Sequence, residues 1–374
     1  MKKRLKVLSL FDGISCAYEA VKRAGFEIAS YHASEIDKYA IEISKKNHPD
    51  IIHMGGVQSV YGRECCLVDD TGIANEPGTL EEIDFLIGGS PCQDLSIAKA
   101  NRKGLDGERS GLFWEYVRIL NEVKPKYFIL ENVASMPKEA KAIITETLGV
   151  EPIMIDAALV SAQRRKRLFW TNIPNVVLPE DRHIYLRDIL EHEVDEKYYV
   201  KEETLRKIYD KLTAGKPLGQ ALRIHGIDGK SVTLSALGGG TGAKTGLYVI
   251  NPNGSEQTKG KTLRTSGMGS GFGDKHNWDQ IAVLTRPQGK NNGTLDTEKS
   301  PTLTSSFPHN SHLIELLKSG DVKVRRLTPT ECERLQSLPD GHTAGFSDNQ
   351  RYKMCGNAFN VNVITHILSF IPVD

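Results

Sequence analysis

The first 156 residues alternate short apolar runs with helical apolar spacing, and this limits the fold more than any other feature. Lys6–Leu10, Ile28–Ala33, Ile51–His53, Phe85–Ile87, Tyr127–Leu130 and Ile153–Asp156 read as strands. Between them, Cys16–Ala24, Lys38–Lys46, Leu112–Val123 and Lys138–Leu148 have the spacing of amphipathic helices. Such alternation predicts an α/β fold, with a mostly parallel sheet covered by helices on both faces. Ligands of these sheets bind at the carboxyl ends of the strands.

Unusual residues stand at those predicted ends. Phe11-Asp12-Gly13-Ile14-Ser15 follows the first strand, and Glu35 follows the second, 22 residues beyond Gly13. A small-residue turn before a helix, with an acid about 20 residues on, suits a nucleoside-containing cofactor whose ribose hydroxyls Glu35 would hold. A plain tight turn at Gly13 is the alternative. After Phe85–Ile87 comes Gly88-Gly89-Ser90-Pro91-Cys92-Gln93. Two glycines, a serine and a proline stop the strand abruptly, so the Cys92 sulfur can face a cleft and act as a covalent nucleophile. An inert buried thiol is the commoner fate of a cysteine. The six cysteines (16, 65, 66, 92, 332 and 355) form no Cys-x-x-Cys pair, and no metal site is expected.

No apolar run approaches the ~20 residues of a membrane span. Met1-Lys2-Lys3-Arg4 leads straight into a short strand, too short for a signal peptide core, so a cytoplasmic protein is expected. Net charge is +1, but residues 216–318 hold 12 Lys/Arg and 7 Asp/Glu, net +5, which leaves −4 for the rest. A basic segment on an acidic body fits a polyanionic partner or a solvated surface. Residues 215–293 hold 17 of the 34 glycines. Lys230–Ser235, Lys261–Thr265 and Lys299–Thr304 form a rough repeat, followed by β-rich Leu247–Val249, Ile281–Val283 and Leu313–Ile314. This reads as a small irregular β domain with flexible loops suited to recognition, or as a structural appendage. Regularity returns at Thr328-Pro329-Thr330-Glu331, a capped helix start, and at a final helix Val363–Phe370. The expected divisions are 1–195, 196–318 and 319–374.

In order and spacing these motifs resemble those of the DNA (cytosine-5)-methyltransferases, over roughly residues 5–170 and 323–370. Phe11–Ser15 resembles the family's first cofactor motif, Ser90–Gln93 its nucleophile motif and Glu131-Asn132-Val133 its acidic motif. Gln163-Arg164-Arg165-Lys166-Arg167 fits Gln-x-Arg-x-Arg, and Arg325–Pro329 and Gly356-Asn357 resemble the last two. The resemblance implies a Rossmann-like catalytic domain at 1–195, a target-recognition domain at 196–318 and a returning segment at 319–374. It implies S-adenosyl-L-methionine as cofactor, S-adenosylhomocysteine as product, and no metal. Phe11, Asp12, Gly13, Ile14, Ser15, Glu35, Ile36, Val57, Pro91, Leu112, Asn357 and Val361 would contact the cofactor. Cys92, Glu131, Arg165 and Arg167 would be catalytic, and Gln93, Ser96, Lys99, Arg102, Lys103, Gln163, Lys261 and Arg264 would contact DNA. Gly56 stands where the family carries an acid for the adenine amino group, and Asn362 where it often has proline.

The implied partner is double-stranded DNA bound by a monomeric bacterial or phage-encoded enzyme. A cognate restriction endonuclease is the other partner such a chain can have. In the implied chemistry a thiolate adds at C6 of cytosine, a carboxylic acid (Glu131) serves N3, and Arg167 serves O2. A Rossmann dehydrogenase would account for Gly13 and Glu35 but not for Pro91-Cys92 or Gln163–Arg167. A DNA-binding regulator without turnover would not need Cys92, Glu131, Arg165 and Arg167 intact.

Overall fold

The structure is a computed structural model that describes residues 4–61, 65–68, 74–78, 82–90, 112–214, 216, 218–236, 241–250 and 323–372. The strands of its first half are β1 (Arg4–Leu10), β2 (Glu27–Ser34), β3 (Ile52–His53), β4 (Cys65–Val68), β5 (Ala74–Gly78), β6 (Phe85–Gly88), β7 (Tyr127–Val133), β8 (Ile153–Asp156) and β9 (Lys166–Thr171). Seven of them form one sheet in the order β3-β2-β1-β6-β7-β9-β8, while β4 and β5 pair antiparallel with each other. The pairings from β3 through to β7 are all parallel, as the alternation predicts.

β9 is the exception, antiparallel to both β7 and β8. Only residues 157–165 join β8 to β9. That is too short for a crossover helix, so the chain turns back and inserts beside β7. The alternation of apolar runs predicts no strand at residues 166–171.

The core lies on both faces of the sheet because successive strand residues point to opposite sides. Leu5, Val7, Phe85, Ile87, Tyr127 and Ile129 feed one apolar layer, and Leu8, Leu10, Leu86, Phe128 and Leu130 feed the other. Each such side chain contributes roughly 1.5–3 kcal/mol by leaving water.

The helices that cover the sheet are α1 (Cys16–Arg23), α2 (Lys38–Asn47), α3 (Leu112–Val123) and α4 (Lys138–Leu148). Asp37 caps α2 by accepting from the Tyr39 amide, and α4 stops at Gly149, left-handed at φ 66°. The later helices are α5 (Glu202–Thr213), α6 (Pro329–Leu335), α7 (Asp348–Asn357) and α8 (Val361–Leu368). α8 packs on α1, where Arg23 donates to Asn362 Oδ1 at 2.7 Å. Asn362 also donates to the Val160 carbonyl at 3.1 Å, so this residue ties α1 and the turn after β8 to α8.

The chain divides into two compact units, Met1–Ile184 with Cys332–Asp374, and Tyr185–Glu331. In the second, β10 (Ile224–His225) pairs parallel with β11 (Leu247–Ile250), and β11 pairs antiparallel with β12 (Lys323–Arg325). Ile208 and Leu212 of α5 pack there against Val200, Ile224, Leu247 and Val324. Leu247–Val249 lies in β11, whereas Lys230–Ser235 forms no strand. The other expected repeats, Lys261–Thr265 and Lys299–Thr304, lie outside the described residues, as do Ile281–Val283 and Leu313–Ile314. The capping box at α6 is present: Thr328 N donates to Glu331 Oε2 at 2.8 Å, and Glu331 N donates to Thr328 Oγ1 at 3.2 Å. Among the described residues no helix is long and apolar enough to cross a membrane.

Candidate active site

The loop after β1 is built on three left-handed residues, Phe11 (φ 57°), Gly13 (φ 62°) and Ser15 (φ 58°). For the two that carry side chains this conformation costs about 1 kcal/mol or more, so the surroundings must hold it. Asp12 does much of this: its buried carboxylate accepts from Ser15 Oγ at 2.5 Å and from the Tyr31 hydroxyl at 2.7 Å. Burial raises its pKa from 3.8 to about 6, against the lowering effect of those hydrogen bonds. Ile14 is buried beside them.

At the end of β2, Glu35 clamps the same loop. Its Oε2 accepts from the Gly13 amide at 2.8 Å, and its Oε1 accepts from the Ile36 and Asp37 amides at 2.8 and 2.9 Å. A carboxylate has about four acceptor positions, and these three amides leave about one free. Ile36 is 79% exposed, unusual for so apolar a side chain. Gly56 brings no carboxylate, and the Gly55 carbonyl beside it already accepts from Glu35 N and Ser34 Oγ. Val57 is buried, Leu112 half-buried at the start of α3, and Asn357 exposed at the end of α7. Val361 is fully buried, so its side chain serves the core.

The second part of the site follows from strand register. Val133 of β7 pairs with Arg167 of β9, and Glu131 with Phe169. Glu131 and Arg167 are therefore diagonal neighbours on one face. They meet as an ion pair, Arg167 Nε to Glu131 Oε1 at 2.8 Å, with side chains 15% and 12% exposed. Arg165 shares their face by period two but is buried, and donates to the carbonyls of Gly356 (3.3 Å) and Ala358 (2.9 Å). It positions the segment between α7 and α8.

Glu131, Arg165, Arg167, Phe359, Asn360 and Val363 line a small cleft. β6 ends beside it. A Cβ on Gly89 would lie 2.7 Å from the Phe359 ring and 3.2 Å from Glu131 Oε2, so only glycine fits there. Asn132 Nδ2 donates to Ser90 Oγ at 3.2 Å, fixing the last described residue before the expected nucleophile.

Cys92, Pro91, Gln93, Ser96, Lys99, Arg102, Lys103, Lys261 and Arg264 lie outside the described residues. Gln163 is described: it is fully buried with neither amide atom hydrogen-bonded. In the sequence Asn132 stands out only as a member of a motif, and Phe359 does not stand out. Their roles depend on contacts across more than 40 residues, which spacing does not reveal. Asn132 had one usable sign, its place one residue past a strand-end acid.

Comparisons with known proteins bear on the family and the fold. The model of the family of C-5 cytosine-specific DNA methylases matches residues 5–372. The orphan methyltransferase M.SPRI of Bacillus phage SPR is 27% identical over 446 aligned residues, covering 97% of this chain and 96% of its own. M.Rho11sI of Bacillus phage rho11s, also an orphan methyltransferase, is 25% identical over 503 residues, covering 97% of each. Among solved structures, the methyltransferase EhMeth of Entamoeba histolytica has a TM-score of 0.63 at 14% identity, covering 99% of this chain and 98% of that one. The Dnmt2 methyltransferase of S. pombe has a TM-score of 0.58 at 17% identity, covering 98% of both. Structural likeness at such low identity speaks for the fold, and the family match spans nearly the whole sequence: the chain belongs to the C-5 cytosine-specific DNA methylases.

Proposed function

We propose that this methylase transfers a methyl group from S-adenosyl-L-methionine to C5 of a cytosine flipped out of a specific duplex sequence, through a covalent bond between Cys92 and C6. The observation that carries the reading is the Glu131–Arg167 pair, set in a cleft beside the end of β6, from which the chain runs to Cys92. The loop at Phe11–Ser15, the Glu35 carboxylate and exposed Ile36 suit the ribose and adenine of the cofactor. When bound, that cofactor supplies an electrophilic methyl group, and S-adenosylhomocysteine is left.

The remaining roles belong to the chain. Extrusion of the base exposes C6. The Cys92 thiolate adds there, and Glu131 protonates or hydrogen-bonds N3 as charge develops, which makes C5 nucleophilic. Arg167 holds both Glu131 and the cytosine O2, and Arg165 positions the wall of the cleft that includes Phe359. After transfer, C5 loses its proton to a base and the Cys92 sulfur leaves as thiolate, so the ring regains its double bond. Gln93, Ser96, Lys99, Arg102 and Lys103 contact the duplex around the flipped base, and Gln163 borders it. Residues 196–318, with Lys261 and Arg264, read the sequence. The enzyme acts as a monomer on double-stranded DNA. That the two phage relatives are called orphan methyltransferases favours a solitary enzyme over one paired with an endonuclease.

The test is duplex DNA in which cytosine is replaced by 5-fluorocytosine, incubated with the full chain and cofactor. Fluorine cannot leave as a proton does, so a covalent protein–DNA complex should accumulate and map to Cys92, and Cys92→Ser should form none. Methylation without any trapped adduct would overturn the covalent route. A folded wild-type chain that transfers no methyl group to any DNA would favour the inactive regulator.

A further inference from the structure

Away from the Glu131–Arg167 cleft, three side chains with metal-ligand chemistry converge. Glu19 comes from the first turn of α1, His48 is the C-cap of α2, and His342 follows α6. Their ligand atoms all lie within 4.8 Å of one another. Both histidines are 5% exposed and Glu19 is half-buried.

The geometry within the group is specific. His48 Nε2 lies 3.2 Å from Glu19 Oε1, an ion-pair contact whose geometry falls short of an aligned hydrogen bond. The two atoms are close but not aligned on each other. Two ligand atoms each about 2.1 Å from one tetrahedral ion stand about 3.4 Å apart and point at the ion instead. That is close to the arrangement of Glu19 and His48.

Both rings are fixed from outside. His342 Nε2 lies 2.9 Å from the Ile14 carbonyl oxygen. A carbonyl can only accept, so Nε2 carries the proton and Nδ1 of the neutral ring keeps its lone pair. Metal-binding imidazoles are commonly backed in this way. The His48 ring stacks on Tyr18 at 4.1 Å, and the Tyr18 hydroxyl donates to Asp50 at 2.6 Å. The main chain around His342 is docked independently, since Asn47 donates to its carbonyl and Lys46 to that of Ala344, both at 2.8 Å.

We propose that Glu19, His48 and His342 bind one divalent transition-metal ion of the zinc class, with water completing a four-coordinate site. Two imidazoles and one carboxylate suit zinc and its neighbours, whereas magnesium and calcium take mostly oxygen ligands. The ion ties α1, the end of α2 and the segment after α6 together beside Ile14, and so steadies the loop that follows β1. It stands apart from methyl transfer, for which the proposed chemistry uses no metal. It departs from the expectation that the sequence holds no metal site: ligands 29 and 294 residues apart show none of the short spacings by which such sites are recognised.

The test uses the full chain, stripped with a chelator, dialysed against zinc chloride, desalted and assayed for bound metal. One zinc per chain is expected, with affinity reduced at least roughly tenfold in Glu19→Gln and in His48→Gln. Cobalt(II) added to the stripped wild type should give the intense visible bands of four-coordinate cobalt without a thiolate charge-transfer band. This second reading does not depend on the variants folding. No retained zinc, equal affinity in wild type and folded variants, or a thiolate band placing the ion on cysteine would each overturn the proposal.

Discussion

Gly89 shows how little room the cleft leaves. A Cβ there would crowd the Phe359 ring and the Glu131 carboxylate; Arg167 holds Glu131, and Arg165 holds the Ala358 carbonyl next to Phe359. Gly89→Ala should therefore displace the end of β6 by some tenths of an ångström. A misplacement of about 1 Å can cost about 10²-fold in rate when reacting groups must be aligned, so a shift of some tenths should cost several-fold. Tritium transfer from labelled cofactor should show that loss in kcat, with the melting temperature reduced by only a few degrees. Asp12 carries a different consequence. Its folded pKa near 6 lies above the ordinary 3.8, so the folded state retains a proton that the unfolded state gives up. The stabilising contribution is complete below about pH 4 and is lost as pH rises to about 6, a change of about 3 kcal/mol. In urea titrations at pH 4.5 and 6.5, Asp12→Asn should lose less stability than the wild type over that interval. An equal decline in both would remove Asp12 as its source.

Elements differed in how plainly the sequence announced them. The parallel strands were legible because each is an apolar run cut off by turn residues, and their ends directed attention to Glu35, Glu131 and Cys92. β9 was obscured because its apolar centre, Leu168-Phe169-Trp170, directly follows the cationic run Arg164–Arg167. The pairing of Glu131 with Arg167 was equally hidden, since it exists only through the β7–β9 register. α7, Asp348-Asn349-Gln350-Arg351-Tyr352-Lys353, is polar over most of its length. Tertiary bonds hold it, such as Arg351 to the buried Glu333 at 2.9 Å. The start of α6 was readable because a capping box is a local pattern. Thr328→Ala removes the hydroxyl that receives the Glu331 amide and that also bonds Glu191. Loss of about 1–2 kcal/mol is expected, measured as a lower urea midpoint at unchanged slope.

At the scale of the molecule, the second unit interrupts the first in sequence, and residues 215–315 carry most of the loops proposed to read DNA. Exchanging that segment with the corresponding part of a methylase of different specificity should change which cytosines resist bisulfite conversion in cells expressing the chimera. An unchanged pattern would place recognition elsewhere. The interrupted order also has a consequence for biosynthesis. The wall that faces Glu131 is Phe359, Arg165 is held by the carbonyls of Gly356 and Ala358, and α8 completes the packing of α1. All of these partners come from residues 332–372. While the ribosome is still translating the middle of the message, the nascent chain can hold a sheet but not a finished cleft. A chain cut short before that point lacks the residues that face Glu131 and hold Arg165.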